Sequence, residues 1–218
     1  MKQGGSILLI SSIIACGSAL PANAVVYIGN LLADPSFESG TPVPSGPGGW
    51  ATIRATFSQD YAHSGQWSLA SPYNSAYLNA PAVQSVSANP GQTYTASVWV
   101  FTPAALPAEL QGSLLVFFND SQNQLLGGYN LAPQSLDQNS PANTWIPLTF
   151  TITAPSQTAS VSVELTLFNF SSTTVSGSPV VYFDDASLTA VPEPSALALC
   201  ACGGFGVAFL LRLRCRRG

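Results

Sequence analysis

Ala159-Ser160-Val161-Ser162-Val163-Glu164-Leu165-Thr166-Leu167-Phe168 alternates apolar and polar side chains along its length. Successive side chains of a strand point to opposite faces, so Val161, Val163, Leu165 and Leu167 share one side. Ser160, Ser162, Glu164 and Thr166 share the other. A strand with one apolar and one wet face belongs to an antiparallel sheet that covers a core on one side only. The preceding run, residues 144–153, repeats the pattern with Leu148, Phe150 and Ile152 inward and Thr149 and Thr151 outward. Between the two runs, Ala154-Pro155-Ser156-Gln157 supplies turn residues.

Further alternating segments lie at residues 51–57, 83–88, 93–101, 113–119 and 180–188, with shorter ones at 67–69 and 76–78. Asn89-Pro90-Gly91-Gln92 marks another turn. No segment between Val25 and Ala190 keeps helical periodicity beyond a turn or two. Many short strands with regular turns predict an all-β, jelly-roll β-sandwich. About 165 residues suffice for such a domain to bury its own core. Within Thr93–Phe101, an inward set of Tyr94, Ala96, Val98 and Val100 leaves Trp99 outward, with Glu164, Ser162 and Thr166 from other strands expected on the same face.

Charge restricts what the domain does. Only 7% of the 218 residues are Asp, Glu, Lys or Arg, against roughly 25% in typical soluble domains. The basic residues are Lys2, Arg54, Arg212, Arg214, Arg216 and Arg217. Between Val25 and Ala190, nine carboxylates face the single Arg54, a formal charge of −8. That excludes nucleic-acid binding by phosphate neutralisation, which needs clustered Lys and Arg. It suits a hard cation, which takes carboxylate oxygens. All four cysteines, Cys16, Cys200, Cys202 and Cys215, lie in the terminal segments, so the middle has no thiolate site and no disulfide. His63 is the only histidine, and neither a G-x-S-x-G elbow nor a phosphate-cradling loop occurs. Adjacent residues on one strand, Asp184 and Asp185 are expected on opposite faces and so cannot flank a glycosidic bond as an acid pair. No catalysis is expected.

The two ends read as addresses. Lys2, a short apolar run through Cys16 and Ala22-Asn23-Ala24 before Val25 form the pattern of a secretory signal peptide over residues 1–24. Ile13-Ile14-Ala15-Cys16 resembles a lipoprotein cleavage box, an alternative cut. At the other end, the seventeen residues from Ser195 to Leu211 carry no charge, and Arg212, Arg214, Arg216 and Arg217 follow. A helix over 195–211 just spans a thin hydrocarbon core, with the arginines cytoplasmic. The domain 25–190 is thereby expected outside the cytoplasm.

The order Val191-Pro192-Glu193-Pro194, one apolar helix and an arginine-rich tail resembles a PEP-CTERM sorting signal over residues 191–218. The resemblance implies a Gram-negative, exopolysaccharide-producing cell, inner-membrane anchoring before processing, and an exosortase that removes the tail near the Pro-Glu-Pro motif. The middle is similar to carbohydrate-binding modules with the galactose-binding-like jelly roll. The similarity rests on Asn30-Leu31-Leu32-Ala33-Asp34-Pro35-Ser36-Phe37-Glu38-Ser39-Gly40, Gly49-Trp50, Ser64-Gly65-Gln66-Trp67-Ser68-Leu69, Pro90-Gly91-Gln92-Thr93-Tyr94 and Val181-Tyr182-Phe183-Asp184-Asp185-Ala186-Ser187-Leu188. It implies a structural calcium at Glu38 with Asp184 or Asp185. Unbroken alternation favours Asp184, which then shares its face with the inward Ala186 and Leu188.

A glycan site needs an aromatic platform with polar groups that fix orientation. Trp50, Trp67, Trp99, Trp145, Tyr61, Tyr73, Tyr77 and Tyr129 are the aromatic candidates, and an outward Trp99 with Glu164 is the preferred pair. Each tryptophan alone is more often core than ligand contact. Two functions therefore remain open: a module that holds exopolysaccharide or cell-wall glycan, and a structural matrix protein with no specific ligand. Asn119-Asp120-Ser121 and Asn169-Phe170-Ser171 fit N-glycosylation triplets.

Overall fold

A computed structural model describes residues 29–41, 49–76, 79–171 and 173–191. The segments 1–24, 192–218 and most of the short strand expected at 76–78 lie outside the described residues. Among the described residues, no helix is long and apolar enough to cross a membrane.

Among the described residues ten strands form two five-stranded sheets, every pairing antiparallel. The front sheet contains β1 (Ala51–Thr52), β4 (Ala82–Ser87), β9 (Ser160–Asn169), β6 (Leu110–Asn119) and β7 (Leu125–Leu131), in that spatial order. The back sheet contains β2 (Thr56–Ser58), β3 (Ser68–Pro72), β10 (Val180–Ala190), β5 (Thr93–Phe101) and β8 (Ile146–Thr153). The first and last described segments meet, since Leu31 N donates to Leu188 O at 2.8 Å and Ala186 N to Pro35 O at 2.8 Å.

The core lies between the sheets. Val161, Val163, Leu165 and Leu167 of β9 are completely buried there, as their alternation requires. Facing them are Tyr94, Ala96, Val98 and Val100 of β5 and Leu148 of β8, with Phe150 and Ile152 partly buried at the rim. Burying each large apolar side chain contributes about 1.5–3 kcal/mol, which the ordering of the chain largely offsets.

Three elements depart from the sequence reading. The run 51–57 is two strands in different sheets, because Arg54 takes a left-handed φ of 66° and turns the chain from front to back. The strand β7 was not anticipated: it contains Gly127-Gly128, both at positive φ, which accompany a register shift against β6. Most consequential is a bulge in β10. Asp184 pairs with Trp99 and Ser187 with Ser97, so three steps on β10 meet two on β5, and Asp185 sits at φ 49°. One extra residue switches the alternation. Val181 and Phe183 face the core before the bulge, and Ala186 and Leu188 face it after.

Candidate functional site

The two outer faces of the sandwich carry the chain's unusual polar groups, and the loop joining β2 to β3 covers the back one. On that face Tyr182 of β10 pairs with Phe101 of β5, and Asp184 with Trp99. Over them lie Tyr61 (ring centroids 4.8 Å from Phe101 and 5.0 Å from Tyr182) and His63, stacked on Trp99 at 4.1 Å and 15°. Trp145 packs edge-on to His63 at 5.5 Å and tilted against Phe101 at 5.2 Å. Trp99 does point outward, as its alternation requires, but His63 occupies its face.

Three carboxylates pin this loop. Asp184 Oδ2 accepts N–H bonds from His63 (2.7 Å) and Ser64 (3.0 Å), and its Oδ1 accepts from Asp185 N at 2.7 Å. Asp185 accepts from His63 Nδ1 and from Ser64 Oγ, each at 2.7 Å. Glu38 Oε1 accepts from Gln66 N and Trp67 N, each at 2.9 Å. Ser68 Oγ donates to Tyr61 O and ties off the loop. Between the two clamps sits Gly65, at φ +64°, where a Cβ would lie 2.2 Å from Glu38 Oε1. Only glycine meets both demands.

Asp184 is buried as expected, at 0% exposure, but not on the inward face with Ala186 and Leu188. The bulge leaves it on the outer side, cross-strand from Trp99 and beneath the loop. Nor do Asp184 and Asp185 diverge to opposite faces, since both meet the His63–Ser64 backbone or side chains. Burial pushes the Asp184 carboxyl up to about 6, against the three backbone N–H bonds that pull it down. Among the described residues, no group of three or more His, Cys, Asp or Glu is arranged to hold a metal ion. Asp185 accepts from both His63 and Ser64, so the imidazole is held away from the role of base toward that serine.

The front face is different. Cross-strand register sets Glu164 of β9 between Val83 of β4 and Leu115 of β6, with Leu131 of β7 beyond. Next to it, Ser162 lies between Ser85 and Phe117, and the Ser85 and Ser162 hydroxyls meet at 2.6 Å. Phe117 meets Tyr129 edge-on at 4.9 Å, and Tyr129 is 61% exposed. On the other side Thr166 pairs with Ser113, both buried. Ser162, Thr166 and Ser113 are thus buried around Glu164, while Leu115, Phe117, Tyr129 and Leu131 lie beside it on the outer face of the front sheet.

The Glu164 carboxylate makes no hydrogen bond or ion pair among the described residues. Burial pushes its acid form to persist above the usual range. Glu164 and Trp99 therefore belong to different sheets and opposite sides of the molecule, and the single face expected for them does not exist. Phe117, Leu115 and Leu131 were not anticipated beside Glu164. The signal that could have found them is the apolar alternation on both sides of the double glycine in β7.

Trp50 and Trp67 are structural, and Tyr77 lies outside the described residues. Trp50 is buried, donates Nε1–H to Asp34 O at 3.1 Å and packs on Phe37. Trp67 lies against Gly40. Both glycosylation triplets are closed: Asn119 is buried, and Asn169, also buried, donates through Nδ2 to Tyr73 Oη (3.3 Å) and Thr173 O (2.6 Å). Val191 follows β10 directly, its N–H donating to Thr93 O at 2.8 Å.

No family model matches this sequence, and no characterised protein matches it at the sequence level. Solved structures do resemble it. The CBM22-1 xylan-binding domain from Paenibacillus barcinonensis Xyn10C superposes with a TM-score of 0.50 at 16% identity, covering 76% of this chain and 94% of that domain. The Clostridium thermocellum xylanase 10B CBM22-1–GH10 modules, complexed with xylohexaose, give 0.51 at 12% identity over 76% of this chain. The enzymatically active domain of tailspike protein 4 from bacteriophage CBA120 gives 0.49 at 13% identity over 74% of this chain. This chain spans only 28% of the xylanase chain and 21% of the tailspike chain. At such identities the likeness establishes the fold, a two-sheet jelly roll of the kind found in carbohydrate-binding modules.

Proposed function

We propose that this chain is an exported protein of a Gram-negative envelope or extracellular matrix whose sandwich binds a neutral glycan on the outer face of the front sheet around Glu164, without catalysis. Glu164 carries the reading. A half-buried carboxylate with no protein partner is costly unless a ligand supplies donors, and sugar hydroxyls supply them as charge-assisted hydrogen bonds. Tyr129 and Phe117 offer the apolar surface on which a pyranose ring packs. The formal charge of −8 over residues 25–190 opposes acidic polysaccharides, so the glycan is neutral. The fold's likeness to a xylan-binding domain recommends xylohexaose as the first probe.

Export through residues 1–24 and sorting through 191–218 complete the proposal: an inner-membrane helix over 195–211, then removal of the tail by an exosortase. A calcium ion at Glu38 with Asp184 and Asp185 belongs to it on the resemblance to carbohydrate-binding modules alone, since the three carboxylates pin one loop without converging on one point. Several of their oxygens already accept N–H or O–H donors, so an ion there shares them. Adding a chelator is expected to lower the melting temperature, since a ligand at a hundred times its Kd stabilises by about 2.7 kcal/mol. An unchanged melt removes the calcium.

Isothermal titration of the sandwich with xylohexaose, and with polysaccharide from the producing cells, tests the main reading. Saturable heat that vanishes in Glu164→Ala supports it. Absence of heat from both, in a sample that melts cooperatively, leaves a structural matrix protein with no ligand.

A further inference from the structure

The last strand runs to the very start of the sorting motif. Its ladder with β5 continues to Ala190, opposite Tyr94, and Val191 N then donates to Thr93 O at 2.8 Å. Gln92 Nε2 donates to Val191 O at 2.7 Å and to Thr93 O at 3.0 Å. The backbone is therefore held through the Val191 carbonyl. Only Pro192, Glu193 and Pro194 separate it from Ser195, where the uncharged run begins. Four Cα steps reach about 14 Å at full extension. The eleven residues of β10 alone span about 36 Å. With 195–211 in a bilayer and headgroups about 6 Å deep on each side, the tether keeps Val191 within about 8 Å of the headgroup surface.

Three turns meet at the end of the sandwich that carries Val191. The β4–β5 turn joins the β8–β9 turn through Gly91 N to Ala154 O (3.0 Å) and Ala154 N to Gln92 O (2.9 Å). The β6–β7 hairpin joins through Ala159 N to Asn119 O at 2.8 Å. Their exposed residues include Pro90, Ser156, Gln157 and Gln122, uncharged side chains with no lysine or arginine among them. Among the described residues the one charge in these turns, Asp120, accepts N–H bonds from Gln122 (2.9 Å) and Gln124 (2.8 Å).

We propose that this end is a membrane-docking surface, resting on zwitterionic lipid headgroups until the tail is removed. Docking stands the strands upright on the bilayer and leaves the Glu164 face open sideways. The inference rests on the reading that 195–211 spans a membrane, and its test separates the two. The full chain is reconstituted in phosphatidylcholine vesicles with a fluorescent amino acid in place of Ser156, Gln122 or, at the far end, Ala105. Headgroup spin-labelled lipid is expected to quench positions 156 and 122 several-fold more than 105. A Gly/Ser linker inserted after Val191 is expected to abolish that difference. Equal quenching at both ends, in a chain that stays with the vesicles at alkaline pH, overturns the docking. A linker without effect overturns the tether as its cause. Release at alkaline pH overturns the membrane span, and the docking with it.

Discussion

The two outer faces of this sandwich began with similar material and ended differently. Each presents aromatic side chains beside a desolvated carboxylate. On the back sheet, the loop between β2 and β3 covers Trp99 and Phe101, and Asp184, Asp185 and Glu38 spend their acceptor capacity holding that loop down. On the front sheet nothing in the described residues bonds Glu164, and Tyr129 stands in solvent. An outward aromatic is thus not by itself a platform. What distinguishes the faces is where the carboxylate's hydrogen bonds go.

The largest effect that would break this contrast is expected at Asp184. Replacing it with alanine removes the buried carboxylate and leaves the N–H groups of His63 and Ser64 without that acceptor, at a cost of about 3 kcal/mol. For a domain of this size the melting temperature falls by about 6–12 °C, and emission from the uncovered Trp99 and Trp145 shifts to the red. A variant as stable as the parent would mean that the loop is held by ring stacking alone. Trp99→Ala comes next: about 2 kcal/mol lost in calorimetry as its contacts with His63 vanish, with glycan affinity untouched. Loss of binding in that variant would exchange the roles of the two faces.

Tyr129→Ala should do the reverse, weakening xylohexaose about tenfold, or about 1.4 kcal/mol, while the melt stays put. The smallest effect concerns pH. Because burial raises the Glu164 carboxyl in the fold, its contribution to stability is full below the unfolded value of about 4.3 and disappears as pH rises through the folded one. The parent is therefore expected to lose stability over that window and Glu164→Gln to lose less, as a series of melts from acid toward neutrality would reveal. Parallel curves would place the Glu164 carboxylate in water.

Local pattern carried the fold. The bounds of β5 and the burial of Val161, Val163, Leu165 and Leu167 were legible, because a strand's alternation is written in its own residues. Pairing is not. Whether Trp99 and Glu164 share a face depends on which sheet β5 and β9 join, and many residues separate the two strands. Local exceptions also escaped notice. An arginine at positive φ splits β1 from β2, and β7 carries a double glycine at positive φ. At Asp185, a carboxylate residue in a left-handed conformation carries the bulge, and no composition rule separates it from an ordinary strand residue. The candidate site was half legible for the same reason: Glu164 could be named, its neighbours across β4, β6 and β7 could not.

That bulge also governs which mutations the gene tolerates. Loss of the codon for Asp185 would force one side of β10 to slide by a position, sending either Val181 and Phe183 or Ala186 and Leu188 to the opposite face. Every substitution at the site leaves the spacing intact, whereas a three-nucleotide deletion turns a stretch of core inside out. Along β10, chain length is inherited under tighter constraint than side-chain identity.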